Sequence, residues 1–149
     1  MMRGAFLSRL QQDSRGSIAI EFAMIGPAML AMLLGVLQIG IGMQNYNAMR
    51  SIAAETARHA IVNYQTGNKL SNLQLADHAK TVGISPPYSL QYDRLAANVS
   101  DAAVQRVSGA KELTVTLTYR VPTVLAVIGI GDIPMSFSRP IFVITSPTT

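Results

Sequence analysis

Arg15-Gly16-Ser17-Ile18-Ala19-Ile20-Glu21-Phe22 joins a short basic leader to a long apolar run, and its reading decides the fold. Glu21 is the only charge between Arg15 and Arg50. Phe22 to Met43 contains no ionisable side chain. As a helix this run would be about 33 Å long, against about 30 Å for a hydrocarbon core. A carboxylate at the mouth of such a span is costly unless its charge is offset, so Glu21 is by default a functional candidate.

The apolar run is too long for the core of a secretory signal, and its small residue, Gly16, lies before it on the basic side. A span retained in the protein is therefore the better reading. Arg3, Arg9 and Arg15 precede it, while Arg50 and Arg58 follow. This bias favours a cytoplasmic N-terminus and an exported C-terminal part. Gly26-Pro27 interrupts the run, as membrane helices tolerate. Gly35 and Gly40, with Gly42, Ala28 and Ala31, offer places where another helix could approach closely. Two readings of these glycines stay open, helix packing and the general abundance of glycine in membrane helices. Gln38 is the other strongly polar residue of the span, and is read either as a hydrogen-bond donor to a neighbouring helix or as a side chain without consequence.

The formal charge of +4 is less telling than it looks, because +2 of it falls in the first sixteen residues. The rest has no block of Lys and Arg, which argues against a nucleic-acid footprint. With no cysteine, disulfides and thiolate metal sites are excluded.

Beyond Met43, Tyr46, Met49, Ala53, Ala57, Ala60 or Ile61, and Tyr64 recur at three- and four-residue spacing. The first stop signal is Gln65-Thr66-Gly67-Asn68. The expectation is one helix from Ser17 to Tyr64, the alternative two helices broken near Gln44 to Asn47. Ser71 with Gln74 forms a capping box, and Leu70 with Leu75 fits a hydrophobic staple, so a short second helix begins there. Gly83 and Pro86-Pro87 are expected to end it. Tyr88 to Ala102 reads as loop. Leu113, Val115, Leu117, Tyr119 and Val121 alternate with Thr114, Thr116, Thr118 and Arg120, a half-buried strand. Ser108-Gly109-Ala110-Lys111 suggests a hairpin back to roughly 103–107. Met135 to Ile144 gives a third strand at an edge, because of Pro134 and Pro140. Thr123 to Gly131 is apolar but too short to span, and is expected to pack on the sheet or on a neighbouring subunit. Asn98-Val99-Ser100 matches a glycosylation sequon and is given no role.

The fold class is α+β: a long N-terminal transmembrane helix continuing into a stalk, and a small exported domain with a short helix and about three antiparallel strands. The segments are a leader over 1–16, removed on processing, a transmembrane helix over 17–43, a stalk over 44–66 and the exported domain over 67–149. Catalytic chemistry is not signalled. His59 and His78 stand isolated in the sequence, with Glu55 one turn from His59, which reads as a surface pair rather than a metal site. No phosphate-cradling loop, nucleophile elbow or paired carboxylates are visible. No enzyme, cofactor, metal or small-molecule substrate is expected.

Asp13-Ser14-Arg15-Gly16-Ser17-Ile18-Ala19-Ile20-Glu21-Phe22-Ala23, then Gly26-Pro27 and Leu33-Leu34-Gly35, resembles the TadE-like family, pseudopilins of tight-adherence (Flp-type) pilus systems. The likeness is strong over about Asp13 to Gly42 and weaker over the stalk and the Val115-Thr116-Leu117-Thr118-Tyr119 strand with Pro122. Members often carry an acid in the latter half of the span, where this chain has Gln38. The resemblance implies cleavage between Gly16 and Ser17 by a membrane-embedded prepilin peptidase. It also implies a role for Glu21 and Phe22 in subunit assembly. The implied partners are that peptidase, other pilins or pseudopilins, the pilus assembly platform and membrane lipid. The implied setting is the bacterial inner membrane, with entry into the pilus as one fate. The implied function is a minor pilin or pseudopilin in assembly, initiation or regulation of a surface pilus. The alternative is an uncleaved single-pass anchor for an exported interaction domain of an envelope or secretion complex.

Overall fold

The computed structural model describes residues 14–144, so most of the expected leader and the last five residues of the expected exported domain lie outside the described residues. The order of elements is α1 (Ser14–Gln65), α2 (Asn72–Ile84), β1 (Leu95–Asp101), β2 (Ala110–Val121), a 3-10 turn (Val124–Ile128) and β3 (Ile133–Ile144). This is the expected α+β arrangement of one long helix, one short helix and a three-stranded antiparallel sheet. The chain divides into two compact units, with the boundary between Gln38 and Ile39.

In the first unit α1 carries an apolar surface turned outward. Ile18, Phe22, Met24, Met29 and Leu33 are all exposed, Phe22 at 76%. Pro27 lies inside the helix without ending it. By length and composition this part of α1 can cross a membrane, and its apolar window buries none of its residues within the protein.

In the second unit α1 runs unbroken through Gln44 to Asn47, so the alternative of two helices does not hold. Met49, Ile52, Ala53, Thr56, Ala57, Ala60 and Tyr64 form one buried stripe, the i, i+3, i+4 pattern of an amphipathic helix. The buried hydroxyl of Thr56 is satisfied by donating to the Ile52 carbonyl at 2.8 Å. The stop falls where the sequence put it. Gly67 takes φ +82, its N–H donating to Tyr64 O at 3.2 Å and that of Asn68 to Asn63 O at 2.9 Å, which satisfies carbonyls that the helix end would orphan.

The Ser71 capping box forms in both directions. Leu75, Ala79 and Gly83 are the buried stripe of α2. Gly83 was expected to end this helix but lies inside it, and the cap is Ser85. A Cβ on Gly83 would come within 2.5 Å of Leu95 Cδ2 and 3.2 Å of Ile52 Cδ1. Close packing, not termination, is what requires glycine there.

β2 is the central strand, with β1 and β3 antiparallel on either side. Its inward residues Leu113, Val115, Leu117, Tyr119 and Val121 are buried with Leu95 and Val99 of β1 and Ile141 and Val143 of β3. Each fully buried side chain of this size contributes about 1.5–3 kcal/mol. Two sequence readings are corrected here. The region read as loop holds β1, and the hairpin partner of β2 is Leu95–Asp101 rather than 103–107. The expected turn does form at Gly109, with φ +80.

The longer connection instead wraps Glu112, which is 2% exposed. Arg106 donates from Nε at 2.9 and 3.1 Å to its two carboxylate oxygens, and also from its Nη2. The Gln105 side chain accepts from Glu112 N at 2.6 Å and donates to Glu112 O at 3.2 Å. Hydrogen bonds from Arg106 hold the Glu112 carboxyl below the usual carboxylate range. β3 is the expected edge strand and contains both Pro134 and Pro140. Thr123 to Gly131 forms the short turn, capped by the Thr123 hydroxyl accepting from Leu125 N at 3.0 Å. Val124 and Leu125 are half-buried while Ala126 and Ile130 stay exposed.

Candidate functional site

Gly16 and Ser17 lie in the first turn of α1. Gly16 is exposed, and a Cβ placed on it would meet nothing within 4 Å. Local packing therefore does not demand a glycine at this position. Ser17 and Glu21 are four residues apart in a continuous helix, about 6 Å along the axis. A chain beginning at Ser17 would carry its amine at a helix N-terminus, one turn from a carboxylate. Glu21 and Phe22 are both exposed. The geometry thus presents a small residue, a carboxylate and an aromatic ring on an outward surface at the start of an apolar helix.

Further along α1, Gly35 and Gln38 are three apart and share a face, whereas Gly40 falls on the other side of a regular helix. Gln38 is 5% exposed, so it does not stand open to the surroundings as the flanking Leu37 and Ile39 do. Added Cβ atoms at Gly35 and Gly40 would meet nothing within 4 Å. The room needed for a neighbouring helix is present at both.

A constellation that the sequence did not reveal lies in the second unit. His59 on α1 and His78 on α2 are stacked, with ring centroids 3.8 Å apart and planes 13° from parallel. They are not isolated, because the helix packing joins residues nineteen positions apart. Glu55, Arg58 and Val62 complete a cleft of about 220 Å³ around the pair. Asn63 holds the outer ring, its Nδ2 lying 3.4 Å from His59 Nε2 and donating to His59 O at 2.9 Å. His78 Nε2 is buried and takes part in no hydrogen bond. Burial pushes the His78 pKa below its ordinary value, His59 adds to the shift and Glu55 opposes it. Parallel rings do not converge their lone pairs on one point, and no group of three or more metal-ligating side chains occurs among the described residues. The arrangement disfavours a proton on His78. The sole sequence signal was that both histidines fall on helices flanked by the buried alanines Ala60 and Ala79.

Residues 16–58 match the family model described as TadE-like protein. The matched segment starts at Gly16 and covers the apolar helix and most of the α1 stripe. The match covers less than a third of the chain, and the similarity is shown for that segment alone. No curated protein and no solved structure is matched by the chain.

Proposed function

We propose that the chain is a pseudopilin or minor pilin of a Tad-type (Flp-type) pilus, helping to assemble, initiate or regulate the fibre. The observation that carries this reading is the outward apolar surface of α1, with Gly16 and Glu21 in its first turns, inside the segment similar to the TadE-like family. In this reading 1–16 is a leader, 17–43 the transmembrane helix, 44–66 the stalk and 67–149 the exported domain. The N-terminus faces the cytoplasm across the bacterial inner membrane. A prepilin peptidase cuts between Gly16 and Ser17, where a side chain larger than hydrogen at Gly16 would obstruct the enzyme and not this protein's own packing. The new ammonium of one subunit then meets Glu21 of the next, in a low-dielectric setting where the pairing is stronger than in water. Phe22 and the small residues Gly35 and Gly40, with Gln38, lie against neighbouring pilin helices.

Mass spectrometry of the membrane-extracted protein, from cells with an active pilus system, should find Ser17 at the N-terminus. Gly16→Trp should keep the leader. Recovery of Met1 or Met2 as the dominant terminus in the wild type would instead leave the uncleaved anchor as the reading. Glu21→Gln should still be processed and inserted, since its span is no more costly to embed. Its association with other pilins should fall sharply, because an unmatched buried charge costs several kcal/mol. Crosslinking at normal expression levels measures this, and unchanged crosslinking would refute the pairing.

A further inference from the structure

Arg50 and Arg139 line one open cleft of about 540 Å³ with Asn47, Ser51, Ala54 and Phe137, and no carboxylate is among the lining residues. The ion pairs among the described residues join other partners, Arg94 with Asp132, Arg106 with Glu112 and Lys111 with Asp101. Asn47, Arg50, Ser51 and Ala54 follow i, i+3, i+4, i+7 and form one stripe of α1. Phe137 and Arg139 lie on the same side of β3 as the buried Ile141 and Val143, which places the second guanidinium on the helix side of the sheet. Two guanidinium groups in one cleft repel each other until an anion enters. Their planar forks suit the oxygens of a phosphate, and Asn47 and Ser51 add neutral donors.

The depth of the cleft says where that phosphate comes from. Arg50 follows the last residue of the apolar run, Met43, by seven positions, about 10 Å along the helix axis. A headgroup layer adds about 5–7 Å to the hydrocarbon core on each side, and arginine side chains reach back along such a distance. Tyr46 lies between, edge-on to Phe137 with ring centroids 5.7 Å apart and planes at 89°. An aromatic pair at this depth is what membrane–water interfaces favour, and it brings β3 to the same level as the helix.

We infer that Arg50 and Arg139 form a binding site for the phosphate of a membrane lipid headgroup, on the exported side of the span. The inference rests on Phe22 to Met43 crossing the bilayer. With the protein so held, the cleft docks the base of the folded unit onto the membrane surface before any subunit is drawn out of it. An arginine near an anionic surface strengthens binding about fivefold, so the pair together gives about thirtyfold.

The test uses the full-length chain. Flotation with carbonate-washed vesicles checks the span. Native mass spectrometry of the detergent-solubilised protein, offered equal amounts of phosphatidylglycerol and a diacylglycerol with the same acyl chains, reads the cleft. The wild type should retain phosphatidylglycerol over diacylglycerol by about thirtyfold, Arg50→Gln and Arg139→Gln singly by about fivefold less, and the double variant almost without preference. The double lysine variant, which keeps both charges, should retain most of the preference. An undiminished preference in the double glutamine variant, or retention of inorganic phosphate alone as strong as that of phosphatidylglycerol, would overturn the lipid assignment while the protein still floats. If the wild type does not float, the span fails and the lipid site falls with it.

Discussion

The two stretches of α1 have similar apolar side chains and opposite fates. Before residue 39, Phe22 is 76% exposed and Leu33 66%; beyond it Met49 and Ile52 are fully buried. The helix geometry is the same in both. What differs is the partner. Met49 and Ile52 meet α2 and the sheet within the chain, whereas the upstream residues have surface to offer only to something outside it. An apolar residue is thus legible as core or as anchor by what the rest of the sequence can lay against it.

Substitution at matched positions gives the sharpest test of this contrast. Ile52→Ala should destabilise the second unit by about 2–5 kcal/mol, as large-to-small changes in a closed core do. Leu33→Ala should leave the unfolding midpoint of that unit where it was. Thermal unfolding of the detergent-solubilised protein, followed by circular dichroism, checks both, and an equal drop for the two would erase the distinction. A smaller effect is expected at the closest approach within the folded unit. Gly83→Ala gains helix propensity but drives a methyl into Leu95, itself 2% exposed and unable to move aside freely. Overpacking of this kind costs about 1–3 kcal/mol against a propensity gain of about 1 kcal/mol, so a net loss near 1 kcal/mol is expected in the same melts.

The least effect should come from the histidine stack. His78 has its folded pKa below the ordinary value, so the unfolded chain takes up a proton first as the pH falls. Stability from this group is therefore complete above about pH 6.5 and declines below it. Burial and His59 disfavour the proton, and Glu55 favours it. The midpoint should drop by a few degrees between about pH 7.5 and 5.5 in the wild type and stay level in His78→Phe, which keeps a ring but cannot titrate. A pH slope that persists in His78→Phe would move the effect to other groups. The Glu112 clasp, with its carboxyl held low by Arg106, is lost only at more acid pH, which keeps the two transitions apart.

The sequence carried the parts whose signals are local. The apolar run of α1, the Ser71–Gln74 box, the Gly67 stop and the alternation of β2 each depend on residues within a few positions of one another, and each formed as read. β1 was missed because Leu95-Ala96-Ala97-Asn98-Val99-Ser100-Asp101 has only two large apolar residues and little strand propensity. Pairing with β2, from Leu95 opposite Tyr119 to Asp101 opposite Leu113, imposes its extended form. Gly83 was misread for a similar reason, since the atoms that require a glycine come from Leu95 and Ile52, far away in sequence. Gly16 and Glu21 stood out in the sequence by type and spacing, and their proposed roles rest on that pattern. The His59–His78 stack was not, because nothing in either helix alone announces the register that brings them together.

The arrangement of the sheet also governs the order of events in time. The central strand β2 gains its second neighbour only when β3 arrives, and Ile141 and Val143 are among the last described residues of the chain. A core that draws on Met49 at one end and Val143 at the other cannot close before Val143 has been synthesised. Until then the stripe from Met49 to Tyr64 stands uncovered. Late closure makes the interval before β3 pairs the period of greatest exposure to unwanted association or proteolysis. The protein's safety in that interval depends on how soon β3 pairs with β2, and not on its final stability.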